Sequence, residues 1–309
     1  MGPGTTGVRA WWRTARVAHR RYLEVFGRRP RLLRPRTHSE RLHRAKLFRR
    51  DPRLQILADK IEVKSFIADR VGERHVVPTL YAGDALPPRE ERGWPRPFFV
   101  KASHGSSWQV QVPAEGPPRW GRLERQVGHW LSTTYGESGG EWHYGLMPRR
   151  ILVEPHLGDP SRMPDDYKFW VFHGRVHFVH WLTGRGTPEF GGRHLDLDWN
   201  EAFRSFRFRT HERMPPRPRS LDTMIRIAER LAEGFTFVRV DMYDIDGHVY
   251  VGELTFTPTA GFHLFDPPET DLMLGRLWHK PPPVGPDARD RRGAPQAAVP
   301  LLTRDRARM

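Results

Sequence analysis

The chain has 309 residues, no cysteine, a formal net charge of +15, and 38% hydrophobic residues including 11 tryptophans. This length holds one large domain or two modest ones with ample core. The lack of cysteine excludes disulfides, thiol nucleophiles and thiolate metal sites, and it fits a reducing compartment. The positive charge is dense in the first 50 residues and again over 285–309. It leaves nucleic acid, an anionic membrane surface and phosphate-rich ligands open, beside the plain compositional bias of a high-GC genome. No apolar run approaches membrane-spanning length, and the N-terminus lacks the apolar stretch of a secretory signal, so neither element is expected.

In chain order, residues 1–50 read as a basic helical arm. Within it, residues 8–26 place Val8, Trp11, Trp12, Ala15, Val17, Tyr22, Leu23 and Phe26 among basic groups. Such a helix either rests on acidic lipid or packs on its own domain. A helical lead-in follows over 51–97, with a helix over 54–71 carried by Ile56, Ile61, Val63, Phe66, Ile67 and Ala68, then a Pro- and Arg-rich loop. Residues 98–157 read as a lid subdomain: strand 98–101, a small flexible loop, strand 108–112, helix 120–135 and strand 150–154. Residues 158–278 read as a second sheet subdomain, with strands 167–172 and 176–182 hinged on His173-Gly174. Ser220 is the expected N-cap of a helix ending near Gly234, with Leu221, Met224, Ile225, Ala228 and Leu231 inward. From residue 279 the Pro- and Arg-rich sequence reads as a disordered tail. The pattern is α+β with antiparallel sheets.

The segment 235–258 reads as two strands joined by a turn, with acids where strands are usually apolar. A three-residue loop, Ile245-Asp246-Gly247, suits a type I turn closed by a left-handed Gly247. That register puts Arg239, Asp241, Glu253 and Thr255 on one face, with Arg239 opposite Glu253. Val238, Val240, Met242, Tyr250 and Leu254 fall on the other. The two carboxylates could then share a cation, whereas a two-residue loop would separate them. A charge-paired sheet edge is the competing reading. The acids of 244–253 approach a calcium loop, but Met242 stands in its first position between strand-like flanks, which excludes an EF-hand.

Lys101 ends a strand before Ser103-His104-Gly105-Ser106-Ser107, so it could meet phosphate oxygens while loop N–H groups cradle them. An ordinary turn with a solvated lysine fits as well, and no Walker loop is present. Lys168 either points into a cleft or snorkels at the surface. His177 and His180 fall on opposite strand faces and cannot ligate one metal. No Gly-x-Ser-x-Gly elbow appears, which argues against serine acyl transfer.

Taken in order, these segments resemble the teichuronopeptide-biosynthesis (TupA-like) family of the ATP-grasp superfamily. The residues carrying the resemblance are Asp59-Lys60, Phe99-Val-Lys-Ala-Ser-His-Gly-Ser106, Glu141-Trp-His-Tyr144, Ile151-Leu-Val-Glu154 and Asp166-Tyr-Lys-Phe169. Asp196-Leu-Asp-Trp-Asn200, Phe237-Val-Arg-Val-Asp241 and Gly252-Glu-Leu-Thr-Phe-Thr-Pro258 complete the set, over about residues 35–278.

The resemblance implies an ATP-grasp fold, with ATP and Mg2+ between two antiparallel-sheet subdomains. It implies a cytoplasmic ligase joining a carboxylate to an amine through an acyl phosphate in surface polysaccharide or peptidyl-polymer assembly. Contact with the inner membrane face would run through residues 8–26, and nucleic acid is not an expected partner. By the same resemblance Lys101 meets the α/β-phosphates under a loop of His104, Gly105 and Ser106. Glu154 reads the adenine amino group beside the Pro155–Leu157 backbone, Asp166 the ribose hydroxyls, and Lys168 is a second phosphate lysine. Asp241 and Glu253 are the magnesium ligands, with Thr255 where the superfamily usually has asparagine, and Arg239 stabilises the acyl phosphate and the oxyanion. Glu141, His143, Asp196 and Asp198 fall outside these nucleotide motifs and on that ground alone are taken as candidates for the acceptor site. The same fold could instead phosphorylate a sugar or polyol hydroxyl, or serve as a degenerate scaffold binding anionic surfaces through its basic ends.

Overall fold

The computed structural model describes residues 5–279. In chain order its elements are α1 (Thr5–Phe26), α2 (His38–Phe48), α3 (Leu54–Leu57), α4 (Val63–Val71), β1 (Tyr81–Gly83), β2 (Phe98–Ala102), β3 (Gln109–Val112), α5 (Trp120–Ser132) and β4 (Ile151–Pro155). There follow β5 (Asp166–Phe172), β6 (Arg175–Thr183), β7 (Gly191–Leu195), β8 (Glu201–Ser205), α6 (Leu221–Leu231), β9 (Phe237–Ile245), β10 (His248–Thr255), β11 (Phe265–Asp266) and α7 (Glu269–His279). The strands form two antiparallel sheets, of four strands (β1-β4-β2-β3) and seven (β10-β9-β5-β6-β7-β8-β11). The architecture is α+β, as the strand-rich sequence predicts. The Pro- and Arg-rich segment from residue 280 lies outside the described residues.

Alternation along β2 sends Phe98, Val100 and Ala102 into a core with Leu123, Val127 and Trp130 of α5. Phe99 and Lys101 are thereby left on the opposite face. The seven-stranded sheet buries Phe169, Val171, Val238, Val240 and Met242 against α4 and α6. Helix α6 turns Leu221, Met224, Ile227, Ala228 and Leu231 inward at helical spacing. On the other face, Leu42 of α2 and Leu274 of α7 cover Trp170, Phe172, Phe203 and Phe237. They cover only one end of that face. The rest looks across at the four-stranded sheet, and the space between is a cavity of about 1060 Å³.

Two expectations change. The helix over 54–71 is broken, because the Asp59 carboxylate accepts the N–H groups of Ile61 and Glu62 at 2.8 and 3.2 Å. A side chain that offers the backbone this alternative ends one helix and starts another. Ser220 is not a side-chain N-cap; its hydroxyl donates to Asp244 at 2.5 Å. Within residues 1–50 the helical segment packs on its own domain: α2 carries a Thr37–Glu40 capping box, and His38, Ser39, Glu40, Leu42, His43, Lys46 and Leu47 are buried. Helix α1 packs Ala18 and Tyr22 inward and turns Trp12 and Leu23 outward, while the side chains of Val8 and Trp11 lie outside the described residues. No described helix is long and apolar enough to cross a membrane.

Candidate active site

The β9–β10 hairpin sets the geometry, by a route the three-residue-loop reading misses. Its turn has two residues, Asp246 and Gly247, both left-handed at φ 52° and 88°, the signature of a type I′ hairpin. Ile245 therefore pairs with His248 and Met242 with Val251. Continued unbroken, this register would turn Glu253 into the core. A β-bulge at Gly252 absorbs one residue and restores the phase, so Glu253 pairs with Asp241 and Thr255 with Arg239. All four side chains share the open face, with Asp241 rather than Arg239 opposite Glu253. Before the bulge the core side of β10 is Val249 and Val251, not Tyr250.

The neighbouring strands extend this pair into one row. Asp241 faces Lys168 on β5, Lys168 faces His180 on β6, and His180 faces His194 on β7. The order across five strands is thus Glu253, Asp241, Lys168, His180, His194. Arg239 donates to both Asp241 oxygens at 2.6 Å, and the Lys168 ammonium donates to the same carboxylate. Burial works against the Arg239 charge, but the Asp241 carboxylate outweighs it and raises its pKa. The Thr255 hydroxyl donates to Glu253 at 3.2 Å and accepts from Arg239 at 3.1 Å. Asp166 holds Lys168 at 2.7 Å and Arg185 at 3.0 Å, while its Oδ1 is buried without a partner.

Lysines descend from the opposite wall. Lys101 of β2 and Lys64 of α4 each hold one Glu154 oxygen at 2.6 Å. Burial alone would raise the Glu154 carboxyl, but these two cations outweigh it and hold it below its ordinary value. Lys60 lines the cavity and donates to the Gly105 carbonyl. Burial, aided by Lys101, pushes its pKa down against the pull of Glu253. Beside Glu154, Val77, Phe99, Leu157, Met163 and Pro164 form an apolar stretch of wall.

Lys101, Ser106, Glu154, Leu157, Asp166, Lys168, Arg239, Asp241, Glu253 and Thr255 all line this one cavity, as does Glu141. His104 does not. It is fully buried, bonds the Trp130 carbonyl at 3.0 Å and packs on Trp108. Gly105 stays behind the surface too, where a β-carbon would stand 2.8 Å from the Trp108 ring. His143 is buried outside the cavity lining, its pKa pushed down to about 3 by burial and by Lys46. Asp196 and Asp198 sit in the β7–β8 turn, where Asp196 accepts the Asn200 N–H at 2.8 Å. Neither lines the cavity, because the turn projects past the strand ends. Lys60, Lys64, Arg185 and Arg207 went unassigned. The signal for the first two is Asp59, which ends one helix and starts the next, leaving Lys60 in the turn before α4 and Lys64 in its first turn.

Asp241, Glu253 and Thr255 offer an oxygen-only set. Among the described residues no three His, Asp or Glu side chains converge into a ready-made metal cage. Two carboxylates completed by phosphate oxygens are what magnesium takes, so the donor set fits it.

Two antiparallel sheets closing on a cleft, one wall supplying lysines and the other paired acids, define an ATP-grasp protein. The sequence matches the TupA-like ATP-grasp family over residues 40–279, and the chain belongs to that family. Comparison with curated proteins returns no match. Among solved structures, the chain resembles the ATP-grasp ligase PsnB complexed with a minimal precursor, at 14% identity and TM-score 0.40 over 74% of this chain and 62% of that one. It also resembles D-alanine--D-alanine ligase from Bacillus anthracis complexed with ATP, at 14% identity and TM-score 0.38 over 65% and 54%. A third is N5-carboxyaminoimidazole synthetase from Staphylococcus aureus complexed with ADP, at 13% identity and TM-score 0.39 over 65% and 45%. The chain thus spans less than two thirds of each of these three proteins.

Proposed function

We propose that the protein is an ATP-dependent carboxylate–amine ligase working through an acyl phosphate. The observation that carries this reading is the row Glu253, Asp241, Lys168 on one wall of the cavity, facing Lys60 and Lys101 on the other. ATP would lie between the walls, its adenine on the apolar stretch by Glu154 and its phosphates among the three lysines. Glu154 accepts from the adenine amino group once a lysine yields one of its oxygens, and Asp166 faces the ribose. Asp241 and Glu253 would hold magnesium, which neutralises charge on the transferring phosphoryl group. Thr255 fixes the Glu253 carboxylate for that task. Arg239 stands in the same row system, where it meets the oxyanion as amine attacks; removing such a donor costs about 3 kcal/mol of transition-state stabilisation.

The carboxylate takes the γ-phosphoryl group, the amine attacks the resulting acyl carbon, and phosphate leaves. The family name supports a place in cell-surface polymer assembly, and the need for ATP supports a cytoplasmic location. Outward-facing Trp12 and Leu23 on the basic α1 support contact with an anionic membrane face. The test is ADP and phosphate release from magnesium-ATP with panels of carboxylate–amine pairs. Lys101→Ala and Glu253→Gln should each slow release about a hundredfold or more. Full turnover in both variants would sink the reading. A stable phosphorylated product formed without any amine would replace it with hydroxyl phosphorylation.

A further inference from the structure

We infer that His180 is the base that takes the proton from the incoming amine; the inference rests on the ligase reading above. An amine arrives from water largely as an ammonium ion, which has no lone pair to attack with. Four of the six carboxylates on the cavity wall are already engaged. Asp241 is held by Arg239 and Lys168, Asp166 by Lys168 and Arg185, and Glu154 by Lys101 and Lys64. Glu141 accepts from Thr257 at 2.5 Å.

His180 stands one strand beyond Lys168 in the cross-sheet row and lines the cavity beside Trp170, Phe208 and Arg239. No described group hydrogen-bonds either of its ring nitrogens. Neither nitrogen is sealed in, unlike Nε2 of His194 and Nδ1 of His263. The ring is nonetheless fixed in place. It stacks on His194 with centroids 3.8 Å apart and planes 13° apart, and His194 in turn stacks on Phe203 at 4.6 Å.

The charged and titratable groups around it are Lys168 from β5, His194 from β7, Arg239 from β9, and His263 from the segment before β11. Burial first, then these neighbours, pushes the His180 pKa well below its ordinary value, which keeps the imidazole neutral with a free lone pair. The same cations disfavour an ammonium nearby and so promote proton release from the amine. The dianionic acyl phosphate acts the other way on the ring and raises its basicity at the step that needs it.

The step balances. The ammonium proton passes to an imidazole nitrogen, and the freed lone pair forms the C–N bond. The acyl C–O bond breaks with its electrons leaving on phosphate. The second nitrogen proton goes to that phosphate as it departs, and the imidazolium returns the first to water.

Hydroxylamine provides the test, because it is largely unprotonated at neutral pH and needs no base to trap an acyl phosphate as a hydroxamate. With a donor carboxylate and amine that support turnover of the wild type, His180→Asn should lower the ratio of amide to hydroxamate about a hundredfold or more. The deficit should shrink as pH rises toward the amine's own pKa of about 10. Hydroxamate formation by the variant reports that it is folded and still makes acyl phosphate. His180→Gln, tested in parallel, should behave alike. An unchanged amide-to-hydroxamate ratio in both variants, or a deficit that does not vary with pH, would overturn the assignment. Absence of hydroxamate from the wild type would count against the ligase reading instead.

Discussion

His38 shows how a polar residue can be core. It is fully buried, both ring nitrogens lack partners, and it sits among Trp170, Phe237 and Trp278 at ring distances of 4.8 to 5.5 Å. Burial, with help from His263 and Arg41, pushes its pKa down to about 3. Between that value and the unfolded one near 6.5, the unfolded chain binds more protons than the folded one. Stability therefore rises with pH through this window and is lost as pH falls through it. His38→Phe keeps the ring and removes the titration. It should flatten the acid limb of the stability curve by up to about 1.4 kcal/mol per pH unit, read from urea midpoints between about pH 7 and pH 4. An unaltered slope would show that other histidines carry the acid sensitivity. Nothing in the sequence distinguishes this histidine from the other fifteen, because its aromatic neighbours come from β5, β9 and α7, over a hundred residues away. Lys101, Lys168 and Asp241 were legible for the opposite reason: each is a charge at an alternating strand position, where local spacing fixes the face.

Among the elements, α4 depends on one buried carboxylate. Asp59 accepts the N–H groups of Ile61 and Glu62 just before it, accepts from the Ser103 hydroxyl at 3.2 Å and pairs with Arg150 at 3.3 Å, tying the helix to the ends of β2 and β4. It thereby holds Lys60 at the cavity wall and Lys64 against Glu154. Asp59→Ala should cost about 2–4 kcal/mol, since it leaves buried donors unpaired, and should also weaken ATP-dependent turnover. Asp59→Asn, which retains an accepting oxygen for the helix start, should cost less in denaturant titration. Equal losses for the two would mean that accepting these N–H groups does not matter. The hairpin carries two opposing local signals. Asp246-Gly247 is the strongest short signal for a two-residue turn, and Gly252 inside a strand signals a bulge. Each was visible, but they shift the register in opposite senses. Only pairing across the sheet reveals that they cancel, leaving the expected four residues on one face with different partners.

At the scale of the whole molecule, three distant segments meet around Lys46. Its ammonium donates to the carbonyls of Gly139 and Ala260 at 2.6 and 2.5 Å, joining α2 to the loop before β4 and the loop after β10. Burial pushes its pKa down to about 7, against the pull of Glu141. Helix α1 lies over this junction. A β-carbon on Gly140 would stand 3.4 Å from both Ala18 and Thr14, and Thr14, Val17 and Arg21 line the cavity. Removal of residues 1–27 should leave a folded protein that hydrolyses ATP without ligating. The readout is the ratio of phosphate released to amide formed, which should rise severalfold; an unchanged ratio would show that α1 is dispensable to the site. Residues 40–279 are what this chain shares with its family, yet the cavity wall begins at Thr14. The matched segment and the cavity lining therefore have different borders. A fragment cut to the matched region, or a chimera joined there, would keep the phosphate machinery and lose the part of the chamber wall that Thr14, Val17 and Arg21 supply.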